Sequence, residues 1–126
     1  MIGPHERKEL DLMLAGEKSL AVFHDLLVEG AEISEEIIPE RRFAPYVAKN
    51  QIKRFEKIIT NKRNGDKIKF VSFTLPGEEW RAHFYLWIEE GIFSKELQYN
   101  PAHDELIGKL LGYSDADIKD FLDRKN

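Results

Sequence analysis

Asn64 and Gly65 constrain this chain more than any other pair of neighbours. Both residue types tolerate the left-handed backbone of a tight reversal. They stand between a run ending in the β-branched Ile58, Ile59 and Thr60 and the run KIKFVSFTL that starts at Lys67. Asn-Gly in that setting is a strong hairpin signal. The expected unit is a strand from Gln51 to Thr60 paired through the Asn64-Gly65 turn with Lys67 to Leu75, preceded by a short helix ending near Asn50. A single helix from Pro45 to Thr60 competes with it. That helix would gather Val47, Ala48, Ile52, Phe55, Ile58 and Ile59 on one side and Lys49, Lys53, Arg54 and Lys57 on the other. The β-branched residues and the turn favour the hairpin. Beyond Phe70 the second strand is apolar on both faces, as a central strand or a bulged one would be.

The remaining punctuation is helical. Pro4, early acids and the spacing of Leu10, Met13 and Leu14 predict a helix over Pro4 to Ala15, stopped by Gly16. Ser19 to Leu27 reads as a buried strand, and Val28 to Glu40, acidic and broken by Gly30 and Pro39, as a loop. Pro76, Glu78 and Glu79 open a helix that Gly91 closes, with Trp80, His83, Phe84, Trp87 and Ile88 inward. Asn100 and Pro101 start another, carrying Leu106, Ile107, Leu110 and Leu111 to a stop at Gly112. Ser114 and Asp117 open the last, whose buried stripe is Ile118, Phe121 and Leu122. The whole is a single α+β domain over residues 1–126: a small antiparallel sheet packed against about four helices.

Composition narrows the chemistry. A chain of 126 residues buries enough surface to hold a core without staples, and with no cysteine it has neither disulfides nor thiolate metal sites. No apolar stretch is long enough to cross a bilayer, and Met1 to Glu9 lacks a secretory signal pattern, so the expectation is a soluble, cytoplasmic, bacterial-type domain without membrane contact. The net charge of −4 conceals a division. Residues 1–40 hold three bases and ten acids, residues 41–69 ten bases and two acids, and residues 70–126 six bases and eleven acids. Such blocks make a charge-asymmetric surface.

Catalytic patterns are missing. The histidines His5, His24, His83 and His103 show no metal-ligand spacing, and there is neither a nucleophile elbow nor a phosphate loop, so no cofactor and no metal are expected. Glu79 and His83, four apart on one helix face, are the one arrangement suited to acid-base work, and with Trp80 and Trp87 they form a candidate pocket for a flat ring. An enzyme with an unpatterned site there is the third reading. The second is nucleic-acid binding by the basic segment 41–69, with Lys53, Arg54, Lys57, Lys62, Arg63 and Lys67 on phosphates. The acidic blocks on either side would repel a polyanion. The leading reading is a protein-binding module, a small inhibitor, immunity-type or adaptor protein acting through its charged surface. Its contacts are the acidic loop residues Glu32, Glu35, Glu36 and Glu40, set on an exposed segment free to meet a cationic partner.

Overall fold

The computed structural model describes residues 7–94 and 100–125. In chain order it comprises α1 (Glu9–Leu14), β1 (Leu20–Leu26), α2 (Glu40–Ala48), β2 (Lys53–Thr60), β3 (Lys67–Thr74), α3 (Glu79–Phe93), α4 (Pro101–Leu110) and α5 (Asp115–Lys125). The strands form one antiparallel sheet in the order β1-β3-β2. The hairpin forms, and β3 is the central strand. Its pairing runs without a bulge from Lys53↔Thr74 to Thr60↔Lys67, and Phe70 to Thr74 are buried on both faces. Asn64 and Gly65 lie within a wider loop than a two-residue turn. The Asn61 amide donates to the Asp66 carbonyl (2.7 Å), Asn64 Oδ1 accepts from the Asp66 amide (2.9 Å), and Gly65 takes a φ of 78°.

Because side chains alternate across a strand, each face of the sheet has its own core. One gathers Ala21, Val71 and Phe73 with Met13 of α1, Phe43 of α2 and Ile38; Phe43 stacks on Phe73 with ring centroids 4.0 Å apart. The other gathers Leu20, Ile59 and Phe70 with Ala82, Tyr85, Leu86 and Ile88 of α3 and Leu110 of α4. Helix α5 completes this side where Ile118 packs on Gly108, so tightly that a Cβ there would meet Ile118 Cγ1 at 2.8 Å. A buried lysine joins the two ends of the chain. Lys18 Nζ donates to the Leu111 carbonyl at 2.6 Å and lies over the Tyr113 ring. Burial pulls its pKa down to about 8, against the opposing charge of Glu9.

Several expectations are corrected. Described helix α1 begins at Glu9, Pro4 lies outside the described residues, and Leu14 is exposed. Helix α3 does not stop at Gly91 but runs on to Phe93, with Gly91 buried. Its inward face consists of Ala82, Tyr85, Leu86 and Ile88. Trp80, His83, Phe84 and Trp87 point to solvent, and of the five residues expected inside only Ile88 is. Leu106 of α4 is likewise exposed. The caps follow the sequence more closely. Asn100 Oδ1 accepts from the Ala102 amide while His103 Nδ1 accepts from the Asn100 amide, so His103 fills the usual Glu or Gln place in a capping box. Ser114 Oγ accepts from the Asp117 amide.

Candidate interaction surface

Helix α3 is apolar nearly all the way round. A helix of that kind is ordinarily enclosed on every side, yet one side of α3 is open. Trp80 is 51%, Phe84 41% and Trp87 63% exposed, with His83 between them. These positions recur at i, i+4 and i+7 and make one continuous stripe. The stripe is held in place. Trp80 Nε1 donates to Glu78 (3.1 Å), and its ring lies 4.7 Å from the guanidinium of Arg81, which is itself tied to Glu78 (2.9 Å) and to the Leu110 carbonyl (3.2 Å). Phe84 and Trp87 meet edge to face with centroids 6.0 Å apart.

Beside the stripe runs a groove between α3 and β2, about 370 Å³ in volume, lined by Phe55, Lys57, His83, Leu86, Trp87 and Glu90. His83 lies edge-on to Phe55 at 5.0 Å, and Lys57 closes one end through an ion pair with Glu90 at 2.6 Å. Sequence reasoning missed Phe55 and Glu90 as parts of this surface. Ile58, 50% exposed, lies on the opposite face of β2 from α3.

Of the candidate pocket residues, His83 and Trp87 do line this groove. Glu79 and Trp80 do not: Glu79 Oε1 turns back to accept from the Gly77 amide (2.6 Å). Glu79 and His83 are thus drawn to different partners, and the acid-base pair does not assemble. No three His, Asp or Glu side chains converge as metal ligands among the described residues.

The four acids expected to meet a partner divide in two. Glu35 accepts from the Arg41 amide (2.9 and 3.1 Å) and the Arg42 amide (3.2 Å), which seats its carboxylate on the first turn of α2. Glu40 accepts a two-pronged pair of hydrogen bonds from Arg54 (2.9 and 2.6 Å). Arg54 also reaches Glu56 (2.6 Å), which Lys69 approaches at 3.4 Å. Arg54 and its hydrogen bonds hold both Glu40 and Glu56 below the usual carboxylate range. Glu32 and Glu36 remain exposed.

The same ion pairs divide the basic segment. Arg54 and Lys57 are matched to acids on opposite faces of the sheet, and Lys53 lies 3.5 Å from Asn50. Lys62, Arg63 and Lys67 lie exposed around the hairpin loop. The six cations therefore do not form one face.

A larger hollow, about 870 Å³, follows the free edge of β1 between Leu10, Phe23, His24, Arg42 and Tyr113. Its charged lining is of both signs, with Glu35 already committed to α2. No described helix is long and apolar enough to cross a membrane. Compared with family models, with curated proteins and with solved structures, the chain matches none.

Proposed function

We propose that this protein is a protein-binding module whose contact surface is the aromatic stripe of α3 together with the adjoining groove and edge of β2. The observation that carries the reading is the exposure of Trp80, Phe84 and Trp87 on a helix otherwise enclosed by apolar neighbours. Solvent-facing tryptophans in a contiguous patch are characteristic of contact surfaces, where their large rigid rings lose little entropy on binding. Trp80 is already oriented by Glu78 and Arg81, which lowers the ordering cost of association. The leading expectation from sequence is kept in its general form, and its location moves from the acidic loop to the aromatic stripe. The pairing of Arg54 and Lys57 with acids leaves the nucleic-acid reading without a continuous phosphate-binding face.

The test is a titration. A protein captured from the source cell on the immobilised chain is purified and measured by calorimetry against the parent, against Trp80→Gln/Trp87→Gln and against Glu32→Gln/Glu36→Gln. The tryptophan pair is expected to lose about 30-fold or more in affinity, the 2 kcal/mol of a hot-spot residue. The glutamate pair should stay within about twofold, as rim charges do. Unchanged affinity of the tryptophan variant would remove the stripe as the contact.

A further inference from the structure

The proposed surface is open in two ways at once, along the stripe of α3 and along the edge of β2, and its own geometry is self-complementary. The Asn61–Asp66 hydrogen bond extends the β2–β3 ladder and fixes the odd-numbered residues of β2 as those bonded to β3. Arg54, Glu56, Ile58 and Thr60 therefore direct their N–H and C=O groups outward. Nothing blunts this edge by shape, since the pairing is unbroken and the strand contains no proline.

An antiparallel second copy can bond there only where outward residues face outward residues, and one such register sets opposite charges face to face. Centred on Glu56, the pairing sets Glu56 against its own copy. Centred on Lys57 or on Ile58, it sets no acid opposite a base. Centred on Phe55, it places Arg54 opposite Glu56 twice, merging the two Arg54–Glu56 pairs into one alternating cluster of four charges. Lys53 and Lys57 also face one another in that register, Lys57 with its charge already matched by Glu90.

Helix α3 selects the same centre independently. It runs alongside β2, with His83 at Phe55 near its start and the Phe93 carbonyl accepting from the Lys62 amide (3.3 Å) at its end. The stripe from Trp80 to Trp87 is centred on His83 and Phe84, level with Phe55. A twofold axis at Phe55 thus lays the two stripes across each other, Trp80 of one copy beside Trp87 of the other. Three half-exposed aromatic side chains of ~150–250 Å² supply roughly 300 Å² per copy, short of the ~800 Å² of a stable interface. The five residues of β2 that face one another in this register, Lys53 to Lys57, add their backbone edge and flanking side chains to that area.

We propose that this chain forms a symmetric dimer in which β2 pairs with β2 about Phe55 into a six-stranded sheet, with the two α3 helices packed across the join. The inference rests on the protein-binding reading of the same surface and names its partner, a second copy.

Sedimentation of the full chain over a concentration series tests it. The parent should dimerise. Glu56→Pro removes an outward N–H that faces Arg54 of the other copy, together with a surface carboxylate, so it should leave the ladder with β3 intact and weaken the dimer about tenfold or more. Trp87→Gln, at an exposed site, should do the same and serves if the proline variant fails to fold. The register has its own readout because the chain has no cysteine. Lys53→Cys/Lys57→Cys should form a covalent dimer on oxidation, since facing Cα atoms of a non-hydrogen-bonded pair lie ~4.5 Å apart, within disulfide reach. A chain that is monomeric at every concentration overturns the dimer, while the titration against a captured partner decides separately whether the stripe binds another protein. A dimer that neither Glu56→Pro nor Trp87→Gln weakens also overturns it. A dimer that resists cross-linking overturns the Phe55 register.

Discussion

The acidic segment before α2 and the aromatic helix α3 have exchanged the roles their compositions suggest. Glu35 and Glu40, in a region built for solvent, are bound into the fold: one carboxylate sits on the first amides of α2 and the other grips Arg54. Trp80, Phe84 and Trp87, in a helix built for a core, face outward. The difference shows that residue type sets the cost of exposure while the neighbours decide who bears it. Helix α3 has more apolar circumference than the sheet and α4 can cover. The segment before α2 has four orphan amides at a helix start and an arginine nearby, and these draw the carboxylates in.

The largest effect should come from separating true core from exposed stripe. Phe43→Ala removes a fully buried ring stacked at 4.0 Å on Phe73 and should cost about 3–5 kcal/mol, on the order of 10–20 °C in the thermal midpoint. Trp87→Ala, although it deletes a larger side chain, should stay within about 0.5 kcal/mol of the parent at dilutions where the chain is monomeric. Thermal melts of the two variants side by side check this. Comparable losses would mean that α3 is buttressed by Trp87 and that the contrast between the regions is false.

Protonation gives the next effect, and the two regions should respond with opposite signs. Glu89, on the covered side of α3, is pushed up to about 7 by burial, with Asp104 of α4 adding repulsion. Its folded-state pKa lies above the unfolded value of 4.5, so its contribution is fully present below about pH 4.5 and is lost as pH rises through about 7. The size is on the order of 3 kcal/mol. Glu40 and Glu56 are held low by Arg54, so their contribution is present above the unfolded pKa and is lost on acidification. Stability measured by urea titration should therefore peak near pH 5, and Glu89→Gln should flatten the decline toward pH 7 while leaving the acid limb unchanged. A decline as steep in Glu89→Gln as in the parent would assign it to other groups.

Legibility from sequence followed the same line. Strands, turns and caps were readable because their causes are local: β-branching at Ile58 to Thr60, the Asn64-Gly65 loop, Asn100 before Pro101, Ser114 before Asp117. The central place of β3 was readable because a strand enclosed on both faces must be apolar at consecutive positions, as Phe70 to Phe73 nearly are. The face of α3 was not. Periodicity marks the inward side of a helix only when the other side is polar, and the aromatic, aliphatic and histidine positions of α3 surround its axis. Placing its inside needed the partners Phe70, Ile59 and Leu110, which come from three distant segments. The capture of Glu40 by Arg54 was hidden for the same reason, since the two come together only once α2 folds back against β2.

The smallest effect tests the acidic segment within itself, where four acids of like composition have unlike partners. Glu35→Ala should cost about 1 kcal/mol, the worth of a helix cap, because two backbone amides of α2 lose their acceptor and the favourable negative charge at the helix start goes with it. Glu36→Ala removes an exposed side chain from the neighbouring position and should change stability by less than about 0.5 kcal/mol. Denaturant midpoints of the two variants resolve the difference, provided their slopes agree with the parent's. Amide hydrogen exchange sharpens it further. In Glu35→Ala the Arg41 and Arg42 amides should lose protection while those of β3 keep theirs, because a frayed helix start opens locally without opening the sheet. Equal midpoints for the two variants would show that the carboxylate on α2 is a bystander, and that the segment is as solvent-directed as its composition first suggests.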